Sequence, residues 1–261
     1  ATAADVFLRG PILDAVQRSR VYGDGKAFVD MPLQVEPGRA LSAFRSVYVG
    51  GKGELRRFIE AHFGTEGSDL MRAPLPEDWT PEFPQRVDAD HVELMAAIHR
   101  MWPKLLRVSR DDFPERRTLI ARRFPFVVPG GRFREGYYWD SYWIIKGLLR
   151  SGMGETALGI VRNFLDDVRA FGYVPNGNRT YYAGRSQPPL LAEMVHLVGE
   201  DALTAEAAPL VDKELGWWHG RRASAIKGLE RYGSDISEPR PESYLEDVET
   251  AARAFTPNPE A

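Results

Sequence analysis

The 261-residue sequence predicts an all-α protein. Three observations carry this. Apolar residues recur at helical spacing, as in Leu55, Phe58, Ile59 and Phe63, or Ala157, Val161, Phe164, Val168 and Phe171. The segments between such stripes are polar and punctuated by glycine and proline. The two-residue alternation of a strand is almost absent.

Composition narrows the function classes. With 43% hydrophobic and 27% charged residues, the chain has an ordinary globular balance. A net charge of −3 without a basic stripe argues against a nucleic-acid partner. No apolar run approaches the ~20 residues of a membrane-spanning helix, so no membrane partner is expected. The absence of cysteine removes disulfides and thiolate chemistry and fits any compartment. A first residue Ala1 fits a mature form after signal removal or a trimmed chain. The compartment stays open, with a periplasmic or extracellular setting slightly ahead of a cytoplasmic one.

From the N-terminus, Pro11 suits a first helical position ahead of Ile12, Leu13 and Val16. Residues 28–35 read as extended chain broken by Pro32, and the first 36 residues as a wrap over a core. A short helix is expected over 39–47, then an amphipathic helix through Leu55 and Phe63. Pro74, Pro76, Pro81 and Pro84 make 64–87 an extended surface linker. Asp88 is the expected N-cap of a helix that aligns Leu94, Ile98, Met101 and Leu105, with Met95 and Trp102 beside them. His91 and His99 lie eight residues apart, about two turns, and His62, His196 and His219 are scattered, so no metal site is expected. No cofactor is expected either.

Residues 107–123 interleave arginines with acids and read as a solvated segment, and 124–128 as a short extended run. Beyond Asp140, one helix buries Tyr142, Ile145, Leu148 and Leu149 and stops at Ser151-Gly152. The next follows closely and ends at Gly172, giving an antiparallel pair. Leu191, Met194, Val195 and Val198 mark a third helix, 202–218 a fourth bent at Pro209, and Tyr244, Leu245, Val248 and Ala251 a last one. Of Trp217 and Trp218, one is expected in the core and one half exposed.

The densest chemistry lies at 129–143, Pro-Gly-Gly-Arg-Phe-Arg-Glu-Gly-Tyr-Tyr-Trp-Asp-Ser-Tyr-Trp. Aromatic faces beside carboxylates and guanidinium groups suit a sugar, whose C–H faces stack on rings and whose hydroxyls take charge-assisted hydrogen bonds. The alternative is a helix start with a buried aromatic face. On the residues alone, Asp140 and Glu242 are the candidate acid–base pair. Asp140 could instead cap the helix from Tyr142, and Asn176 and Asn178 could be turn residues around Gly177.

Pro129-Gly130-Gly131-Arg132-Phe133-Arg134-Glu135, with Tyr138-Trp139-Asp140-Ser141-Tyr142, resembles the first signature of the trehalases, inverting hydrolases of α,α-trehalose. Pro175-Asn176-Gly177-Asn178-Arg179 through Arg185-Ser186-Gln187-Pro188-Pro189 is similar to the next block, and Pro239-Arg240-Pro241-Glu242-Ser243 with Glu246-Asp247 to another. The resemblance is clear over 124–251 and weaker before.

This resemblance implies an (α/α)6 toroid around a central pocket. The chain would supply the N-terminal portion of that single catalytic domain, with 1–87 as wrap and linker and 88–261 as toroid helices. It implies that Arg132, Trp139, Asp140, Asn176, Arg185, Ser186, Gln187, Arg240 and Glu242 bind sugar hydroxyls, with Glu135 among the pocket carboxylates. The partner would be trehalose or a related disaccharide. Inversion needs an acid and a base roughly 6.5–9.5 Å apart. The resemblance places the acid in a Gly-Trp-Asp motif and the base after a Gln-Trp-Asp motif. Neither occurs here, and Gly216-Trp217-Trp218 comes nearest without the aspartate. Both catalytic groups are therefore expected beyond Ala261, in a C-terminal part that would be a further partner. A trehalose-binding fragment without catalysis is the alternative.

Overall fold

The computed structural model describes residues 1–47, 50–110, 112–234 and 236–254. It is mostly helical with one small sheet. The backbone clusters into two compact units, Ala1–Asp69 with Asp111–Ile120 and Ile236–Ala261, and Leu70–Arg110 with Ala121–Asp235.

The first unit is built on short helices. Pro11–Arg18 begins with proline directly after Gly10, whose φ of +98° only glycine adopts freely. Pro37–Val47 and Lys52–His62 follow the expected stripes, and Leu55, Phe58, Ile59 and Phe63 are all buried. Phe7, Phe28 and Phe63 form an aromatic cluster with centroids 5.2–5.8 Å apart. Residues 28 and 29 are not extended as expected. They lie in the helical turn Lys26–Val29, where a buried Lys26–Asp30 ion pair bridges one turn. Gln17 donates to the carbonyls of Gly25 at 2.8 Å and Pro241 at 2.9 Å, stitching the last stretch of the unit to the first. That stretch ends in the helix Tyr244–Ala254.

The second unit contains the sheet, which the sequence reading did not anticipate. β1 (Leu70–Arg72), β2 (Leu106–Ser109) and β3 (Phe126–Val127) pair antiparallel in that order, with Leu70 opposite Ser109 and Leu106 opposite Val127. Strands of two to four residues leave too little periodicity to detect. Two sequence expectations fail beside it. Residues 107–123 are not simply a solvated segment, because Arg122 forms a buried ion pair with Asp167 and donates to the Asn163 carbonyl. The stripe on the helix Val92–His99 does not face a core, since Leu94 and Ile98 are 57% and 43% exposed. That helix buries His99 instead, stacked on Trp79 and bonded at Nε2 to the Thr80 oxygen at 2.6 Å.

The helices Asp140–Arg150 and Gly154–Phe171 form the expected antiparallel pair, turned through Gly152 at φ +76° and closed by Gly172 at φ +87°. Leu191–Val198 and Asp201–Arg221 pack on them, around Ile145, Leu148, Val161, Phe164, Leu191 and Leu203. Gly147 admits the Trp102 ring so closely that a Cβ would lie 2.7 Å from it, and Trp102 Nε1 donates to Ser151 Oγ at 2.8 Å. Trp218 is buried, and Trp217 is partly exposed and stacks on Tyr173 at 4.0 Å. Among the described residues, no helix is long and apolar enough to cross a membrane.

Candidate functional site

The signature segment leaves β3 through a tight hairpin. Gly130 N–H donates to the Phe133 carbonyl and Phe133 N–H to that of Gly130, each at 3.1 Å. Gly131 occupies the first central position with φ +62°, which a II′-type turn assigns to glycine. The chain then alternates between solvent and interior. Phe133 is 44% exposed, with the Arg132 guanidinium 5.4 Å from its ring centre. Glu135, Tyr137 and Tyr138 are buried, and Trp139 and Trp143 return to the surface in edge contact at 5.5 Å.

Beneath these exposed groups lies a buried polar floor. Arg179 Nε donates to Glu135 Oε1 at 3.0 Å, and both side chains are 0% exposed. The Tyr137 hydroxyl donates to Glu135 Oε2 at 2.8 Å and lies 2.9 Å from that of Tyr182. Burial, then the Glu135 charge, pushes the Tyr137 hydroxyl far up, so it stays a neutral donor. Gly136 N–H donates to Asn178 Oδ1 at 2.8 Å, and Tyr138 N–H to the Asn176 carbonyl at 3.2 Å. Two sequence blocks more than 30 residues apart are thus tied by charge, side-chain and main-chain bonds. Gly177 permits the approach, since a Cβ there would press on the Tyr182 and Tyr137 rings at 3.1 and 3.3 Å. Glu135, expected among the pocket carboxylates, is instead enclosed as the anionic half of this tie.

The structure brings several of the expected binding residues together in this unit. Trp139 N–H donates to Gln187 Oε1 at 3.0 Å. Asp140 opens its helix half-buried, and desolvation raises its carboxyl above the usual range. Asn176 accepts from Tyr138 and donates its N–H to the Arg185 carbonyl at 3.0 Å. The Arg185 guanidinium lies 5.0 Å from the Tyr182 ring centre. Ser186 is buried and donates its hydroxyl to the Val174 carbonyl at 2.6 Å, so it also fastens the loop. Arg240 and Glu242 belong to the first unit. There Arg240 holds Asp247 through Nε at 2.9 Å and Nη2 at 2.6 Å, and Glu242 is buried in the turn Pro241–Ser243.

Sequence reasoning missed Glu214. It lies on the helix Asp201–Arg221 and is 2% exposed. Its Oε2 accepts from the Tyr138 hydroxyl at 2.9 Å, and that hydroxyl accepts from Leu191 N–H at 2.9 Å. Burial pushes the Glu214 carboxyl up to about 7, against the opposing pull of Tyr138 and the Val174 amide. A signal was present, because Leu203, Ala207 and Trp218 share the helix's buried side with it. An acid on such a stripe calls for a partner.

Exposed indoles, a partly desolvated carboxylate and fixed amides suit a neutral, polyhydroxylated ligand better than a charged one. The trehalase family profile matches residues 20–260. A trehalase of Oryctolagus cuniculus is 39% identical over 269 residues, covering 95% of this chain and 46% of that protein. The corresponding figures are 38%, 95% and 46% for a trehalase of Homo sapiens, and 37%, 98% and 44% for one of Apis mellifera. The chain spans about half the length of the curated relatives it matches.

Proposed function

The chain belongs to the trehalase family, and from that premise we propose that it supplies the sugar-gripping part of an enzyme hydrolysing α,α-trehalose to two glucose molecules by single-step inversion. The whole domain is proposed to be an (α/α)6 toroid, and the antiparallel pair Asp140–Arg150 and Gly154–Phe171 is the kind of hairpin it would repeat. In the second unit the grip is proposed to consist of Arg132, Trp139, Asp140, Asn176, Arg185, Ser186 and Gln187, and in the first unit Arg240 and Glu242 are each proposed to bind a sugar hydroxyl.

The observation that carries this reading is the layering of the signature segments. Trp139 is 42% exposed and Asp140 half-buried, four and five residues after Glu135, whose buried pair with Arg179 ties down the segment that leads to them. Such preorganisation lowers the entropy cost of gripping a flexible disaccharide. The acid and the base are proposed to lie outside residues 1–261, since the Gly-Trp-Asp and Gln-Trp-Asp motifs are absent from them. In the second reading the chain holds trehalose without hydrolysing it, which the same absence favours.

The test is calorimetric titration of the purified chain with α,α-trehalose, run beside an assay of glucose release. Binding without release is expected. Turnover near one per second, an ordinary enzymatic rate, would overturn the placement of the acid and base and return Asp140 and Glu242 as candidates. Absence of binding would overturn the grip.

A further inference from the structure

We infer that Glu214 is a positioning residue, which through the Tyr138 hydroxyl fixes the main chain presenting Trp139 and Asp140. Tyr138 is 0% exposed and pinned at three points: its N–H to Asn176, its hydroxyl oxygen to Leu191 N–H, and its hydroxyl proton to Glu214. A phenol has one proton. Leu191 can only donate, so the proton needs an acceptor on the other side, and Glu214 Oε2 provides it at 2.9 Å. Without that acceptor a buried hydroxyl would lose its partner and the ring its fixed orientation.

Packing alone does not explain an acid here. The charged or titratable groups facing Glu214 are Tyr138 and Asp167, and Asp167 is already paired with Arg122. Among the described residues no cation pairs with Glu214, and a leucine or methionine would fill the same volume without the cost of burying a carboxylate. What the acid supplies is the acceptor. The residue after Tyr138 is Trp139, whose N–H is held by Gln187, and Asp140 follows as the first helical residue. A loosened Tyr138 would therefore displace the exposed indole next to it. The consequence for ligand affinity rests on the proposed sugar grip, whereas the positional consequence does not.

The experiment uses the 261-residue chain carrying ¹⁵N-labelled tryptophan, with the Trp139 indole signal assigned through Trp139→Phe. Glu214→Leu and Tyr138→Phe are expected to move the Trp139 signal and leave that of Trp79 in place. Glu214→Gln, which keeps an acceptor oxygen, is expected to leave both unmoved. The inference is overturned if Trp139 keeps its wild-type position in folded Glu214→Leu or Tyr138→Phe, or if Glu214→Gln displaces it as far as the leucine does. Should Glu214→Leu fail to fold, Tyr138→Phe and Glu214→Gln still decide. In parallel, the dissociation constant for α,α-trehalose is expected to rise about tenfold in Glu214→Leu and Tyr138→Phe, the scale of one hydrogen bond to a charged group, and to hold in Glu214→Gln. Wild-type chain that binds no trehalose would sink the sugar grip and leave the indole result to decide on Glu214.

Discussion

Arg179 Nε lies 3.0 Å from Glu135 Oε1, and neither side chain reaches solvent. This ion pair joins a segment opened by a glycine hairpin to one 44 residues later. Removing one partner takes from a buried charge the counter-charge it is hydrogen-bonded to. Arg179→Met or Glu135→Leu alone should each cost about 3–5 kcal/mol of unfolding free energy. The double variant should cost markedly less than the sum. Urea unfolding of all four proteins checks this, and simple additivity would mean that the pair is not coupled.

Glu214 sets a pH dependence. Its carboxyl rises from 4.5 to about 7 in the folded protein, chiefly through burial. A folded value above the unfolded one means that folding favours the protonated form. The stability it lends is whole below about pH 4.5 and is lost as pH rises through 7. Glu214→Gln cannot ionise, so its stability relative to wild type should climb by about 3 kcal/mol between those limits. A gap that stays constant between pH 4 and pH 8 would contradict the assignment.

Gly147 offers a test in which two known effects oppose each other. Alanine in place of a mid-helix glycine ordinarily stabilises by about 1 kcal/mol. Here its Cβ would meet the Trp102 ring at 2.7 Å, and that ring is held by its bond to Ser151. Overpacking of this kind costs about 1–3 kcal/mol. Gly147→Ala should therefore lower the melting temperature, and a rise would show that Trp102 yields easily.

Two surface substitutions address the proposed grip. Asp140→Asn and Arg132→Ala should weaken α,α-trehalose by about 1.5–3 kcal/mol each, the scale of a charged hydrogen bond, with circular dichroism unchanged. Unchanged affinity in both, measured by calorimetry, would remove these residues from the grip.

The helices were legible where a stripe meets a core. Lys52–His62 and Gly154–Phe171 fall where Leu55 to Phe63 and Ala157 to Val168 place them. The same logic misread Leu94 and Ile98, because spacing defines a face and not what covers it. The run 124–128 that holds β3 was read as extended, but the sheet escaped notice because its strands are only two to four residues long. At the site, the aromatic and charged density of 129–143 was visible, and so was the resemblance of that stretch and of 175–189 to trehalase blocks. The interior role of Glu135 was not, since a glutamate followed by tyrosines reads alike whether it faces a ligand or an arginine 44 residues away. Glu214 was hidden by distance, lying 76 residues from the tyrosine whose hydroxyl donates to it.

The way the chain divides between its two units carries a consequence for how it is made. The first unit is assembled from three separate stretches, and its stitch from Gln17 to Pro241 spans 224 positions. On a ribosome, residues 1–69 emerge before the stretch from residue 236 onward that shares their unit. For this unit the usual vectorial order, with the N-terminal part folding first, is expected to be inverted. The middle stretches can settle while the beginning waits, and the long loop closure makes the first unit the slow step. Until that closure, Phe7, Phe28 and Phe63 lack part of the chain that shares their unit, and a nascent chain stalled before Pro241 would be an early client for chaperones.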